Sequence, residues 1–163
     1  MILKFVYIIF IGILLAAFVG VGIAAFYPGP KSPEPPLSIK YCPPKDVVSP
    51  EVKQEQEKFD AEEKIFMEKD KIYNRNVSII SLAAAITILI ISLTFAKAIL
   101  VIADGMLLGG VLTLIYSIVR GFASEDAKFR FLVVSIGLVI ALFLGYLKFI
   151  KSQIEEAGNK KAK

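Results

Sequence analysis

The chain has 163 residues, is 56% hydrophobic, and sets 19 Lys and Arg against 15 Asp and Glu for a formal charge of +4. A mean hydropathy of +0.67 lies above that of soluble domains, and so small a charge argues against nucleic acid as a partner and for anionic lipid headgroups. With no His and one Cys, the chain lacks the commonest metal ligand and neutral-pH acid–base group, and Cys42 has no internal disulfide partner.

Four apolar runs dominate: about Phe5–Phe26, Val77–Ile102, Gly105–Val119 and Phe131–Leu147. A helix crosses a hydrocarbon layer of ~30 Å in ~20 residues. Three runs are that long, and the third reaches about 18 if Arg120 snorkels and Phe122 sits at the interface. The expected fold is all-α: a polytopic membrane four-helix bundle with a long juxtamembrane helical arm between spans 1 and 2. Its segments are span 1 (1–26), a Pro-rich extended linker (27–48), an amphipathic arm (49–76) continuous with span 2 (77–102), span 3 (105–122), a fourth helix with an extension (125–157), and a basic tail (158–163).

The first run follows Lys4 and is longer than the 7–15-residue core of a signal peptide, so it is expected to stay as an anchor. It carries Gly12, Ala16, Gly20 and Ala24 in four-residue register, a spacing that lets another helix approach closely. The linker, Tyr27-Pro-Gly-Pro-Lys-Ser-Pro-Glu-Pro-Pro36 and then Tyr41-Cys-Pro-Pro44, is expected to be an extended spacer of polyproline type. Cys42 reads as a free, loop-borne thiol, because the residues before it lack the small side chains of a lipoprotein cleavage site.

Ser49 is a good N-cap and Pro50 suits the first helical position. From Glu51 to Asp104 there is neither Pro nor Gly, which predicts one helix beginning in water and entering the second span. Val52, Phe59, Phe66 and Tyr73 recur every seventh residue, with Ile65 and Ile72 beside the last two. They form a narrow apolar stripe, although charged residues hold the midway positions a coiled coil would fill. Two readings stand: the stripe packs on the chain's own linker or the lipid surface, or it docks a partner or second copy.

Between spans 2 and 3, Ala103-Asp104-Gly105 is the expected turn, with Gly105 free to take a left-handed conformation. The alternative at Ala96-Lys97 would leave Asp104 inside the third span, where a carboxylate is a candidate functional group. Gly105, Gly109, Thr113, Ser117 and Gly121 make a second four-residue row, with Tyr116 and Arg120 on the same broad face. Gly137, Ala141 and Gly145 continue the theme in the fourth span. Ser124-Glu125-Asp126 is expected to cap the fourth helix.

The stretch Asp104-Gly-Met-Leu-Leu-Gly-Gly-Val-Leu-Thr-Leu-Ile-Tyr116, with Arg120-Gly-Phe, Ser124-Glu-Asp and Lys128-Phe-Arg-Phe131, resembles small four-span bacterial membrane proteins of no assigned activity. That resemblance implies a bacterial plasma membrane and brings no site with it.

Four spans put both termini on one side. A cytoplasmic placement gathers Lys4, Lys97, Lys148, Lys151 and the terminal lysines inside, whereas the opposite choice gathers the arm's bases with Arg120, Lys128 and Arg130. The first helix usually dominates, which favours cytoplasmic termini. No nucleophile–base pair, Cys-x-x-Cys or paired intramembrane carboxylates occur, so no catalytic residue, metal or cofactor is expected. The leading functional expectation is a non-catalytic scaffold or accessory subunit. Its partners would be the lipid bilayer and another membrane protein or a second copy, met through the Val52–Tyr73 stripe. The alternative is a homo-oligomeric transporter or channel subunit with Thr113, Tyr116, Ser117 and Arg120 facing its path. An insertase-like role, argued from element order alone, comes third.

Overall fold

The computed structural model describes residues 2–36, 50–95 and 100–147. Within them the chain is all-helical: α1 (Ile2–Phe26), α2 (Pro50–Phe95), α3 (Leu100–Ala123) and α4 (Ala127–Gly145). Each is long and apolar enough to cross a membrane. Ser49, Cys42, the upper linker, the extension beyond Leu147 and the basic tail lie outside the described residues.

α2 runs for 46 residues without a break, a rod of ~70 Å at 1.5 Å per residue. Its first half is the arm and its second half is the span, as the absence of Pro and Gly predicts. α3 is the hub: α2 packs along one side of it, α1 along another, and α4 more lightly along a third. The core is small, built from Leu82, Ala85 and Leu114 with Ile86, Ile118, Ile136 and Ile140 around it. Large apolar side chains cover the outer faces of α1 and α4, including Phe18 at 74% and Phe131 at 76% exposure. A water-soluble protein would bury such side chains, but lipid accommodates them without cost.

The expected turn at Asp104-Gly105 is not where the chain reverses. Asp104 and Gly105 both lie within the helix Leu100–Ala123, and the alternative turn at Ala96-Lys97 falls outside the described residues. Asp104 therefore belongs to α3, and the spans written as 77–102 and 105–122 shift accordingly. The reason lies in the α2–α3 register. Ser92 Oγ donates to the Ala103 carbonyl at 2.7 Å, and a Cβ on Gly110 would stand 2.6 Å from Leu89 Cδ2. A later turn would break both contacts. Gly105 is used for close approach instead: a Cβ there would lie 2.9 Å from Ile11 Cβ on α1. Among the described residues no glycine has a positive φ.

α1 runs parallel to α3, with Gly12 against Leu108, and Gly109 against Leu15 and the Gly12 carbonyl. Only the first part of the expected α1 row takes part. Gly12 is buried and Ala16 half-buried, but Gly20 meets nothing within 4 Å and Ala24 is exposed. Four residues advance a helix by about 400°, so a four-residue row drifts ~40° per step and rotates off a straight contact. The buried face instead runs through Gly12 and Ile23. The fourth span shows the same drift: a Cβ on Gly137 would stand 3.2 Å from Ile118 Cδ1, whereas Ala141 is exposed and Gly145 meets nothing within 4 Å. In α3 the whole row of Gly105, Gly109, Thr113, Ser117 and Gly121 is buried, because neighbours on two sides accommodate the drift.

At the α3–α4 turn Asp126 caps α4, its Oδ1 accepting from the backbone N–H of Lys128 (2.9 Å) and Phe129 (3.2 Å). Glu125, with φ 58°, takes the left-handed position.

Candidate functional site

The arm does not stand bare. Gly29 lies on Tyr73, where an added Cβ would sit 3.1 Å from the ring. Further along, Pro30 and Pro33 share a cleft with Phe66 and Ile65, and Pro36 shares one with Phe59. The described linker, 27–36, is thus a strap running back along the arm. Pro30, Pro33 and Pro36 are its half-buried members from Pro30 onward, while Lys31, Ser32, Glu34 and Pro35 between them are exposed. A polyproline helix repeats every third residue, ~9.3 Å along its axis, and seven residues of α-helix rise ~10.5 Å. The two repeats are close in length, so the strap stays alongside the stripe, with Gly29 at Tyr73, Pro30 and Pro33 at Phe66, and Pro36 at Phe59.

This corrects the expectation of a free docking stripe. Phe59, Phe66 and Tyr73 are engaged by the strap, Val52 is half-buried beyond its described end, and Ile65 and Ile72 remain 53% exposed on the flank. Of the two readings the sequence left open, packing on the chain's own linker accounts for the aromatic members.

At the arm's foot the first residue of the strap meets α2 and α3 in a polar node. Tyr27 stacks on Tyr73 with ring centroids 5.4 Å apart and planes 13° from parallel. Asn76 Nδ2 donates to the Tyr27 hydroxyl at 2.9 Å. Arg120 donates from Nη1 to Asn74 Oδ1 (2.7 Å) and from Nε to the Tyr116 hydroxyl (3.1 Å). Its guanidinium also stands within 5.8 Å of the Tyr73 ring centroid and 5.5 Å of that of Tyr116. Asn74 is buried and turns its amide back to Asp70, donating to the carbonyl (2.9 Å) and to Oδ2 (2.8 Å). A cation at the end of a span is thus held by a hydrogen-bonded partner and two ring faces, an arrangement suited to the wet edge of a bilayer.

Beside the node, Lys71 Nζ lies 2.6 Å from Glu125 Oε2. The hydrogen bond from Lys71, its charge, and the more distant charge of Arg130 hold the Glu125 carboxyl below its ordinary value. This pair ties the arm to the α3–α4 turn and faces the left-handed backbone at Glu125, which costs ~1–2 kcal/mol for a residue with a Cβ.

The polar face proposed for a transport path turns inward. Ser117 Oγ donates to the Ser78 carbonyl at 2.8 Å, and Ser78 Oγ donates to the Ser117 carbonyl at 2.8 Å. Thr113 Oγ1 donates to the Gly109 carbonyl within its own helix at 2.8 Å. Thr113 and Ser117 are buried, and Tyr116 and Arg120 belong to the node. These four residues hold α3 in place and line no path in the single chain. The sequence reading missed Ser78, Ser81 and Ser92 on α2, all buried. Hydroxyls at Ser78 and Ser92 that face a Gly- and Ser-rich helix were the available signal. It also missed the three-residue proline period.

Fold and site together define an all-α integral membrane protein with a strapped helical arm rising from its second span. Comparison with family models, with curated proteins and with solved structures finds no match for the chain.

Proposed function

We propose that the protein is a non-catalytic membrane adaptor or accessory subunit whose arm engages another membrane protein. One observation carries this reading. Ile65, Ile72 and Ile79 are 53%, 53% and 50% exposed, and they lie seven residues apart on the continuous helix α2. This apolar line begins in water and enters the bilayer without a break, so its occupant must cross the same boundary. A membrane helix of another protein that continues past the headgroups satisfies that condition, laying its own apolar face along this line. The strap and the node support the reading because they stiffen the arm and present this edge in a fixed direction.

A non-catalytic role agrees with how the polar groups are spent. Ser78, Ser92 and Ser117 donate to backbone carbonyls of the facing helix and so hold helices together, while Ser81 and Thr113 donate to carbonyls of their own helices. The membrane would be a bacterial plasma membrane with cytoplasmic termini and the arm on the far side. Cys42, between α1 and α2 in sequence, would then react in intact cells with a membrane-impermeant maleimide. Protection until lysis would reverse the orientation.

The test of the adaptor reading is a photocrosslinker at position 72 in the source membrane, followed by mass spectrometry of the adduct. A foreign membrane protein, lost in the Ile65→Asp/Ile72→Asp double variant, is the expected result. A second copy of this chain would favour the homo-oligomeric alternative, and lipid-only adducts would overturn the adaptor.

A further inference from the structure

The node, the strap and the isoleucine line account for the arm's side of the molecule. At the opposite end of the spans lies an unassigned groove. It has a volume of about 430 Å³ and is lined by Leu3, Lys4, Val6, Tyr7 and Phe10 of α1 and by Val101 of α3. α1 closes on α3 at Gly12 and Gly105, and the space opens toward the helix starts. From Leu3 to Phe10 the wall extends ~10 Å along α1 at 1.5 Å per residue. The lining is apolar almost throughout, so Lys4 and Tyr7 line it with the carbon of their side chains, and Lys4 stands in the first turn of α1, where a lysine stem packs on apolar surface and carries its ammonium to the headgroups.

We infer that this groove is a binding site for one anionic phospholipid, an acyl chain lying against Val6, Phe10 and Val101 and the phosphate meeting Lys4. The argument rests on position and charge. Leu3, Val6, Tyr7 and Phe10 are 82%, 55%, 49% and 61% exposed on a span-length helix, so the medium that fills the groove is the bilayer. An apolar groove of this size whose lining includes a lysine in the first turn of a span suits an amphiphile held by its tail and met at its head by the snorkelling ammonium. Among the described residues Lys4 is the one cation in the lining, and its ammonium selects a net negative headgroup over a zwitterionic one. The site does not depend on the adaptor reading, because it lies at the end of the spans away from the arm.

The experiment uses the full chain in nanodiscs of equal phosphatidylglycerol and phosphatidylcholine, released and weighed intact by native mass spectrometry. The expected wild-type result is one retained lipid, with phosphatidylglycerol favoured about fivefold, the factor one Lys contributes beside anionic lipid. Lys4→Gln should bring the ratio near unity while a lipid is still retained. Val101→Trp, which fills the groove, should abolish retention. Equal retention of the two lipids by wild type would overturn the inference. So would a preference that survives Lys4→Gln. Retention unaffected by Val101→Trp would place the lipid elsewhere and equally refute it. Should Val101→Trp fail to fold, the wild-type and Lys4→Gln ratios decide alone.

Discussion

The crossing of α1 over α3 offers a direct test of the packing argument, because two glycines from the expected small-residue rows differ sharply in surroundings. A Cβ on Gly109 would stand 2.8 Å from Leu15 Cδ2, 3.0 Å from Leu15 Cβ and 3.2 Å from the Gly12 carbonyl oxygen. The methyl can swing aside. The other two atoms move only with the backbone, so the helices must part by several tenths of an ångström. Overpacking of this kind costs ~1–3 kcal/mol. A Cβ on Gly20 would meet nothing within 4 Å. Gly→Ala in a helix interior gains up to ~1 kcal/mol wherever the backbone is helical, and that gain is common to both positions. Gly20→Ala should therefore keep the gain, whereas Gly109→Ala should fall below it by ~1–3 kcal/mol. At ~2–4 °C per kcal/mol for a chain of this size, the two variants should differ by about 2–12 °C. The assay is thermal denaturation in detergent, read by survival of the monodisperse species and by energy transfer between probes on α1 and α3. If Gly109→Ala is as stable as Gly20→Ala, the close approach of α1 and α3 is wrong.

The remaining predictions concern the hydroxyl pair, the node and the turn. Ser78→Ala and Ser117→Ala each remove one of two reciprocal bonds and should cost about 0.6 kcal/mol, at most ~1.7. The double variant should cost about their sum, checked by the same melts. Arg120→Lys keeps the charge but loses the fork that reaches Tyr116 and Asn74 together. It should broaden the distance distribution between spin labels on the arm and on α4, and an unchanged distribution would remove the node from arm positioning. For Glu125, the folded carboxyl is held below its ordinary value, so its contribution is present above the unfolded value of about 4.3 and is lost as pH falls through the lowered folded value. Acidification from pH 7 toward 3 should thus loosen the arm's foot in wild type, and Glu125→Gln should flatten that response in the same spin-label measurement.

The number of spans, the uninterrupted arm and the Asp126 cap were legible because each rests on a local property: run length, the absence of Pro and Gly, or an acceptor before a helix. The reversal between α2 and α3 was not. A Gly-containing dipeptide reads as a turn by local propensity, but Gly105 is demanded by Ile11 on a helix ninety residues earlier in the sequence, and that demand is tertiary. The four-residue rows failed partway for a geometric reason. Their members at Gly20, Ala24, Ala141 and Gly145 rotate off helices that rest mainly on α3, whereas α3 has neighbours wherever its row turns. Arg120 was recognised as a helix-end cation, but its partners Asn74 and Tyr73 lie more than forty residues away, out of reach of any periodicity.

The arm's heptad is the most informative of these cases. Val52, Phe59, Phe66 and Tyr73 supply one apolar position per heptad and leave the midway position to Glu62/Glu63 and Lys69/Asp70. A second α-helix needs both positions, since its knobs enter alternately. A polyproline strand needs only one. Its three-residue repeat is close in length to a heptad, and the side chains between contacts point outward. The half-sequence that fails as a coiled coil is therefore complete for the partner present, with Pro30, Pro33 and Pro36 half-buried. The flank about 100° round the helix is occupied by Ile65, at the edge of the strap's cleft, and by Ile72, and both stay half exposed. A post braced on one side and apolar on the next would offer the proposed partner one approach, from alongside the second span.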